Sequence, residues 1–136
     1  MLIEHNLSKQ LIRTFKKTLC RVPEIEPLKK PAVVALIINQ NDPHGICFIE
    51  RTQREGDPWS GQVSLPGGKI SSDDKTLVDG VIRETCEEIG IQLKKEFMIG
   101  NLAAIEVPNT LSGKSFHIIP IIFLVADSLA KTAFVN

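Results

Sequence analysis

The run Arg83-Glu84-Thr85-Cys86-Glu87-Glu88-Ile89-Gly90 carries the densest chemistry in the chain. In a helix it sets Glu84, Glu87 and Glu88 at i, i+3 and i+4, so that three carboxylates share one face. Like charges at that spacing repel, and a compensating cation is expected. Arg83, four residues before Glu87, can form one ion pair along the helix but cannot neutralise all three. Clustered hard oxygen donors suit Mg²⁺ or Mn²⁺ rather than zinc. Upstream, Gly67-Gly68 lets the backbone approach a ligand with no Cβ in the way, a common means of holding phosphate. Either feature alone also fits a solvated helix face or a tight turn; their combination marks a site.

These residues must be positioned by the elements around them. From Asp74 onward Val78, Ile82, Thr85 and Ile89 line one side of a helix that Gly90 ends. Ala32 to Ile38 is wholly apolar and partly β-branched, which predicts a strand buried on both faces. Asn41-Asp42-Pro43 and Gly45 supply turn signals, and Ile46 to Arg51 reads as a second strand, with Cys47 a small buried hydrophobe and a connecting loop too long for a two-residue turn. Arg51 to Ser60 reads as a loop carrying the single tryptophan, Trp59, and Gln62 to Leu65 as a short strand stopped by Pro66-Gly67-Gly68. Phe97 to Val107 and Phe116 to Ala126 read as strands. Strands before and after a helix, without regular βαβ alternation, predict an α+β or mixed-sheet sandwich.

Nearer the N-terminus, Leu7, Leu11, Phe15 and Leu19 recur every four residues with basic residues opposite, the pattern of an amphipathic helix over residues 1–22. Three prolines (Pro23, Pro27, Pro31) make residues 23–31 read as a linker into a single domain over 32–136.

The segment Gly68 to Ile91 resembles the Nudix box, Gly-x5-Glu-x7-Arg-Glu-U-x-Glu-Glu-x-Gly-U, where U is a bulky apolar residue. Arg83, Glu84, Glu87, Glu88 and Gly90 agree with it, a match expected by chance on the order of once per million start positions at roughly 6% usage per residue type. Two positions depart. Gly68 and Arg83 are one residue further apart than in the standard box, so its first Glu falls on Asp74 counted forward or Lys75 counted backward, and Thr85 replaces an apolar residue. The resemblance implies an α/β/α sandwich with a mixed sheet. It implies an enzyme in which Glu84, Glu87, Glu88 and the Gly67 carbonyl hold Mg²⁺ or Mn²⁺, Arg83 orients a glutamate, and a diphosphate linkage in a nucleotide derivative is hydrolysed. The general base would be Glu84, Glu87 or Glu106.

A second resemblance involves Arg51-Thr52 and Gly61-Gln62-Val63-Ser64-Leu65-Pro66-Gly67-Gly68, which look like the signature preceding the box in coenzyme A diphosphatases. Asp57 stands where its inner arginine belongs, Arg54 lies three residues upstream of it, and Thr52 replaces a usual Ser or Ala. Coenzyme A or acyl-coenzyme A is therefore the first substrate expected, with ADP-ribose and dinucleotides next. A Nudix module that binds a nucleotide and catalyses nothing is the alternative, against which the intact carboxylates count. Arg51 and Arg54 either bind substrate phosphate with Gly67 and Gly68 or are solvated loop charges. Trp59 either stacks on a nucleotide base or packs near a turn. His5, His44 and His117 are scattered and read as structural or surface residues.

Composition sets the outer bounds. Sixteen Lys plus Arg balance sixteen Asp plus Glu, so no long-range field favours nucleic acid or an acidic membrane. Cys20, Cys47 and Cys86 are odd in number and lack CxxC spacing, which argues against a disulfide framework or zinc site and fits a reducing cytoplasm. No signal-peptide stretch or membrane-spanning run occurs. Members of the resembled family usually continue beyond the position of Asn136 with a further strand and helix. A chain without them is expected to cover the exposed sheet face with the partner subunit of a homodimer or its N-terminal helix, the two favoured outcomes, or else to be a fragment of impaired stability.

Overall fold

The computed structural model describes residues 10, 13, 22–26, 28–108 and 113–133. The apolar stripe of the expected N-terminal helix (Leu7, Leu11, Phe15, Leu19) lies outside the described residues.

Two long parallel strands form the spine: β1 (Ala32–Asn39) and β8 (Ser115–Val125), paired continuously from Ala32 with Ile118 to Asn39 with Val125. Both are nearly uninterrupted apolar runs, as central strands covered on two sides must be. Four short strands flank them. β2 (Asp42–Ile46) and β5 (Gly67–Lys69) pair antiparallel with opposite ends of β1, while β6 (Met98–Asn101) and β7 (Ile105–Pro108) pair antiparallel with opposite ends of β8. The six strands make one mixed sheet, and β3 (Ile49–Glu50) pairs with β4 (Val63–Ser64) in a separate two-stranded ribbon. Helix α1 (Leu77–Ile89) packs on the sheet, a 3₁₀ turn occupies Lys95–Phe97, and a short helix α2 (Asp127–Ala130) follows β8.

The core lies between α1 and one face of the sheet. Val33, Ala35 and Ile37 of β1 and Ile119, Ile121, Phe123 and Val125 of β8 alternate toward Leu77, Val81 and Ile89 of the helix, all buried. The other face of β1 is half-buried, so burial alternates along that strand. Val22, Ile25 and Leu28 pack against the same core, so the proline-rich segment sits on the domain as a strap.

Several expectations are corrected. The first hairpin is tight, because Asn39 pairs with Asp42 and the Asn39 side chain accepts the Asn41 N–H at 2.9 Å. An asparagine bonding the backbone two residues on substitutes for a longer loop. The expected second strand is split between β2 and β3, which belong to different sheets. The strand before Pro66 does stop, at Ser64, but Gly67 and Gly68 then begin a new strand on β1. The stretch expected as one strand from Phe97 is two, with a register shift between Met98 and Gly100 and a non-strand link after Asn101 in which the Leu102 N–H still donates to the Pro120 carbonyl. Helix α1 begins at Leu77 rather than Asp74, because Thr76 and Asp79 form a reciprocal capping box that sets its start. Gly90, at φ 72°, closes it with its N–H on the Cys86 carbonyl.

Thr85 is fully buried in α1 and its hydroxyl has no partner among the described residues. An unsatisfied buried hydroxyl costs about 1–3 kcal/mol. Thr85→Val keeps the shape and is expected to raise the melting temperature by a few degrees. A lower melting temperature would show that the hydroxyl is bonded after all.

Candidate functional site

The C-terminal half of α1 turns its charged face away from the core, toward β5 and the loop that follows β3. Between them lies a cleft of about 410 Å³, lined by Glu84, Glu87, Glu88 and Ile89 from α1, Gly67 from β5, Ile49 and Glu50 from β3, and Arg51, Thr52, Arg54 and Asp57 from the loop. The fold thus brings the box glutamates and both candidate phosphate-binding arginines to one concavity. Glu50 and Asp57 add carboxylates that sequence reasoning did not place there; Glu50 gave no signal beyond adjoining Arg51.

Arg83 organises this region. Its Nε and Nη2 donate to the two carboxylate oxygens of Asp74 at 3.0 and 2.8 Å, a bidentate pair. Nη1 donates to Glu84 at 2.9 Å and to Glu87 at 3.2 Å, and Nη2 also reaches the Lys69 carbonyl at 3.1 Å. The guanidinium therefore ties α1 to β5 and fixes two of the three glutamates. Of the two candidates for the displaced box position, it is Asp74 that pairs with Arg83. The Asp74 side chain is only 5% exposed and also accepts the Ser71 N–H at 2.8 Å. The Arg83 hydrogen bonds hold its carboxyl below the usual carboxylate range, against the opposing effect of burial, with the Ser71 N–H assisting.

This pair carries a prediction about acid stability. A depressed folded-state pKa contributes stability that is complete above about pH 4, the carboxyl's unfolded value, and lost as pH falls through the lower folded value. Asp74→Asn is expected to lose about 2–3 kcal/mol at pH 7, the scale of a hydrogen-bonded charge left without its partner. Urea melts should show the gap to the native protein shrinking below pH 4. A gap that stays constant into acid would mean the ion pair is not its source.

Glu88 behaves differently. One of its oxygens accepts the Gly67 N–H at 3.0 Å, yet burial pushes its carboxyl up, and the Glu84 and Glu87 charges push it further. Gly68 faces Glu84 closely: a Cβ there would lie 2.5 Å from the Glu84 carboxylate carbon. Hard oxygen donors, one desolvated and under repulsion from its neighbours, fit a divalent cation in chemical kind. Among the described residues no three His, Cys, Asp or Glu side chains are gathered into ligating geometry. Arg83 holds Glu84 and Glu87, and the Gly67 N–H holds Glu88.

Glu106 lies elsewhere. It sits on β7, which is separated from β5 by β1 and β8, about 14 Å at three strand spacings. Its carboxylate accepts the Ser115 hydroxyl at 2.7 Å and lies 3.9 Å from the Lys29 ammonium, outside the lining of the cleft. His117 accepts the Lys29 N–H at Nδ1 and is likewise structural. Arg51 pairs with Asp57 at 3.0 Å, and Asp57 also accepts the Trp59 N–H at 3.0 Å. The Asp-Pro-Trp-Ser sequence carried that turn signal, since aspartate commonly bonds a backbone N–H two residues on. Cys47 and Cys86 are free thiols, and burial raises the pKa of Cys47, as suits a small apolar packing residue. Among the described residues no helix is long and apolar enough to cross a membrane.

Comparison with known proteins agrees with this geometry. The NUDIX domain matches residues 28–129, and the chain belongs to the Nudix family. The uncharacterized Nudix hydrolase NudL of Yersinia pestis is 39% identical over 101 residues, covering 74% of this chain and 47% of its own length. The chain therefore spans about half the length of that curated relative. A NUDIX hydrolase from Nitrosomonas europaea superposes with a TM-score of 0.56 at 15% identity, covering 72% of this chain and 60% of that one. A bifunctional NMN adenylyltransferase/ADP ribose pyrophosphatase from Francisella tularensis gives 0.54 at 23% identity, over 98% of this chain and 36% of that one. These structural likenesses concern the fold: a curled mixed sheet with few helices.

Proposed function

We propose that this protein hydrolyses the diphosphate linkage of a nucleoside diphosphate derivative, with coenzyme A or acyl-coenzyme A the first substrate to test and ADP-ribose and dinucleotides next. The observation that carries the reading is the cleft itself, whose lining brings Arg51 and Arg54 together with Glu84, Glu87, Glu88 and Gly67. Cations suited to phosphate oxygens share it with oxygens suited to a metal. The choice of coenzyme A rests on Arg51 and the Gly61 to Gly68 signature.

Glu84, Glu87, Glu88 and the Gly67 carbonyl are the proposed holders of Mg²⁺ or Mn²⁺. When bound, such an ion neutralises charge on the phosphate oxygens and lowers the pKa of water. The chain's own residues do the rest. Arg51 and Arg54 bind and orient the diphosphate, Gly67 and Gly68 admit it close to the backbone, and Arg83 keeps Glu84 and Glu87 in place. Attack of a water oxygen on one phosphorus breaks its bond to the bridging oxygen, which leaves with the other phosphate, while the water proton passes to a carboxylate. Glu84 or Glu87 is the acceptor favoured by position, and Glu106→Gln is expected to keep the rate within about twofold, since its carboxylate stands apart from the cleft.

Turnover should be assayed with Mg²⁺ and with Mn²⁺ against coenzyme A, ADP-ribose and diadenosine diphosphate, reading inorganic phosphate after a phosphatase step. Hydrolysis that stops on chelation supports the reading. Binding without turnover of any diphosphate would replace it with the nucleotide-binding module.

A further inference from the structure

A second cavity of about 230 Å³ opens beside the carboxylate cleft and shares Arg51 and Gly67 with it. Trp59 forms one side; Val34, Leu65 and Ile118 supply apolar lining, and Gln62 and Ser64 add hydrogen-bonding groups. Trp59 is 57% exposed, an unusual state for the largest apolar side chain in a molecule with an available core.

It is also held there. The Trp59 N–H donates to Asp57, its carbonyl accepts the Gln62 N–H, and the Ser60 hydroxyl both accepts the Arg54 N–H and donates to the Arg54 carbonyl. The same Asp57 carboxylate binds Arg51 at 3.0 Å, so one side chain anchors both the backbone that carries the ring and the arginine in the cleft. A loop fixed at several points loses little entropy on binding, which is the condition under which an exposed ring contributes affinity.

We infer that this cavity is the subsite for the nucleobase of the substrate, with Trp59 stacking on the ring and Gln62 and Ser64 reading its polar edge. The inference rests on the hydrolase reading for where the diphosphate lies: on Arg51 and Gly67, at the junction of the two cavities. A phosphate chain at that junction leads one end of the molecule onto the indole. The other end extends over the glutamates. An apolar cavity with few polar groups beside a charged cleft suits a flat heteroaromatic ring better than a further phosphate.

Trp59 is the single tryptophan of the chain, so its fluorescence reports this cavity alone. With metal chelated, AMP and ADP should quench or shift the emission saturably. Ribose 5-phosphate, pyrophosphate and 4′-phosphopantetheine should not. Trp59→Ala should raise KM for an adenine-containing diphosphate roughly tenfold while kcat changes little, as expected for a lost stacking contact. Trp59→Phe, which keeps a ring, should restore most of the affinity, and Gln62→Ala should weaken AMP while leaving the fluorescence response intact. An equal response to ribose 5-phosphate, a response to 4′-phosphopantetheine alone, or an unchanged KM in Trp59→Ala would overturn the assignment. Quenching by AMP in a protein that turns over no diphosphate would uphold the subsite and defeat the hydrolase reading. Turnover with a neutral Trp59→Ala would do the reverse.

Discussion

Glu88→Gln is expected to lower kcat by on the order of 10²–10³-fold while leaving the melting temperature unchanged or raised. The loss follows from removing one of the carboxylates proposed to hold the divalent ion, on the scale seen when an electrostatic contact to the reacting group is deleted. The stability follows from the environment of the carboxylate. Burial first, and the Glu84 and Glu87 charges after it, raise its pKa, so the ionised form at neutral pH is a net strain on the fold. The amide relieves that strain and keeps an oxygen for the Gly67 N–H. Glu87→Gln should lose comparable activity with stability within about 0.5 kcal/mol, because its side chain is 59% exposed and its bond to Arg83 is an i, i+4 surface pair. Kinetics and thermal melts on the same preparations decide it. Wild-type rates in both variants would remove these residues from the site, and a collapse of Glu88→Gln would make its role structural.

The second large effect separates two adjacent glycines. Gly67→Ala should destabilise the protein by about 3 kcal/mol or more, since the added Cβ would run into the Val33 carbonyl oxygen and lie 2.8 Å from the Val34 Cα. Both obstacles are backbone of the central strand and cannot yield without breaking the pairing of Gly67 with Val34. Gly68→Ala meets only the end of the Glu84 side chain, which can swing aside. It should fold normally yet lose activity by roughly tenfold or more, because a shift of about 1 Å in a catalytic group is costly. Denaturant melts on the pair give the first comparison and initial rates the second. Equal stability of the two variants would contradict the close approach of β5 to β1, and full activity of Gly68→Ala would free Glu84 from a positional role.

Arg83 connects these results to the fold. One guanidinium holds Asp74, Glu84, Glu87 and the Lys69 carbonyl, and the Asp74 hydrogen bonds raise its pKa further above the usual arginine value. The glutamate-bearing face of α1 and the strand carrying the glycines are therefore one mechanical unit. In the proposed reaction Arg83 is a positioning residue, whose loss is expected to slow turnover without abolishing metal binding.

The sequence by itself determined that three glutamates share one face of α1, and it determined the identity of the two central strands. Spacing along a helix is a local property, so Glu84, Glu87 and Glu88 had to share a face once those residues were helical, and Gly90 marked the helix end, whereas the start at Thr76 was missed. The apolar runs of β1 and β8 likewise announced burial. What the sequence left open was decided by partners distant along the chain. Whether the box acid falls on Asp74 or Lys75 cannot be settled by counting, but only a carboxylate can chelate the Arg83 guanidinium, and the chain puts Asp74 there. Gly67-Gly68 reads as a strand stop until β1 offers it a ladder, because strand formation in so short a segment depends on pairing rather than propensity. Glu106 looked as eligible as any carboxylate until the strand order set it beyond β1 and β8. The cavity under Trp59 could not be read from spacing at all, since its walls come from β1, β8 and the loop, brought together only when the sheet closes.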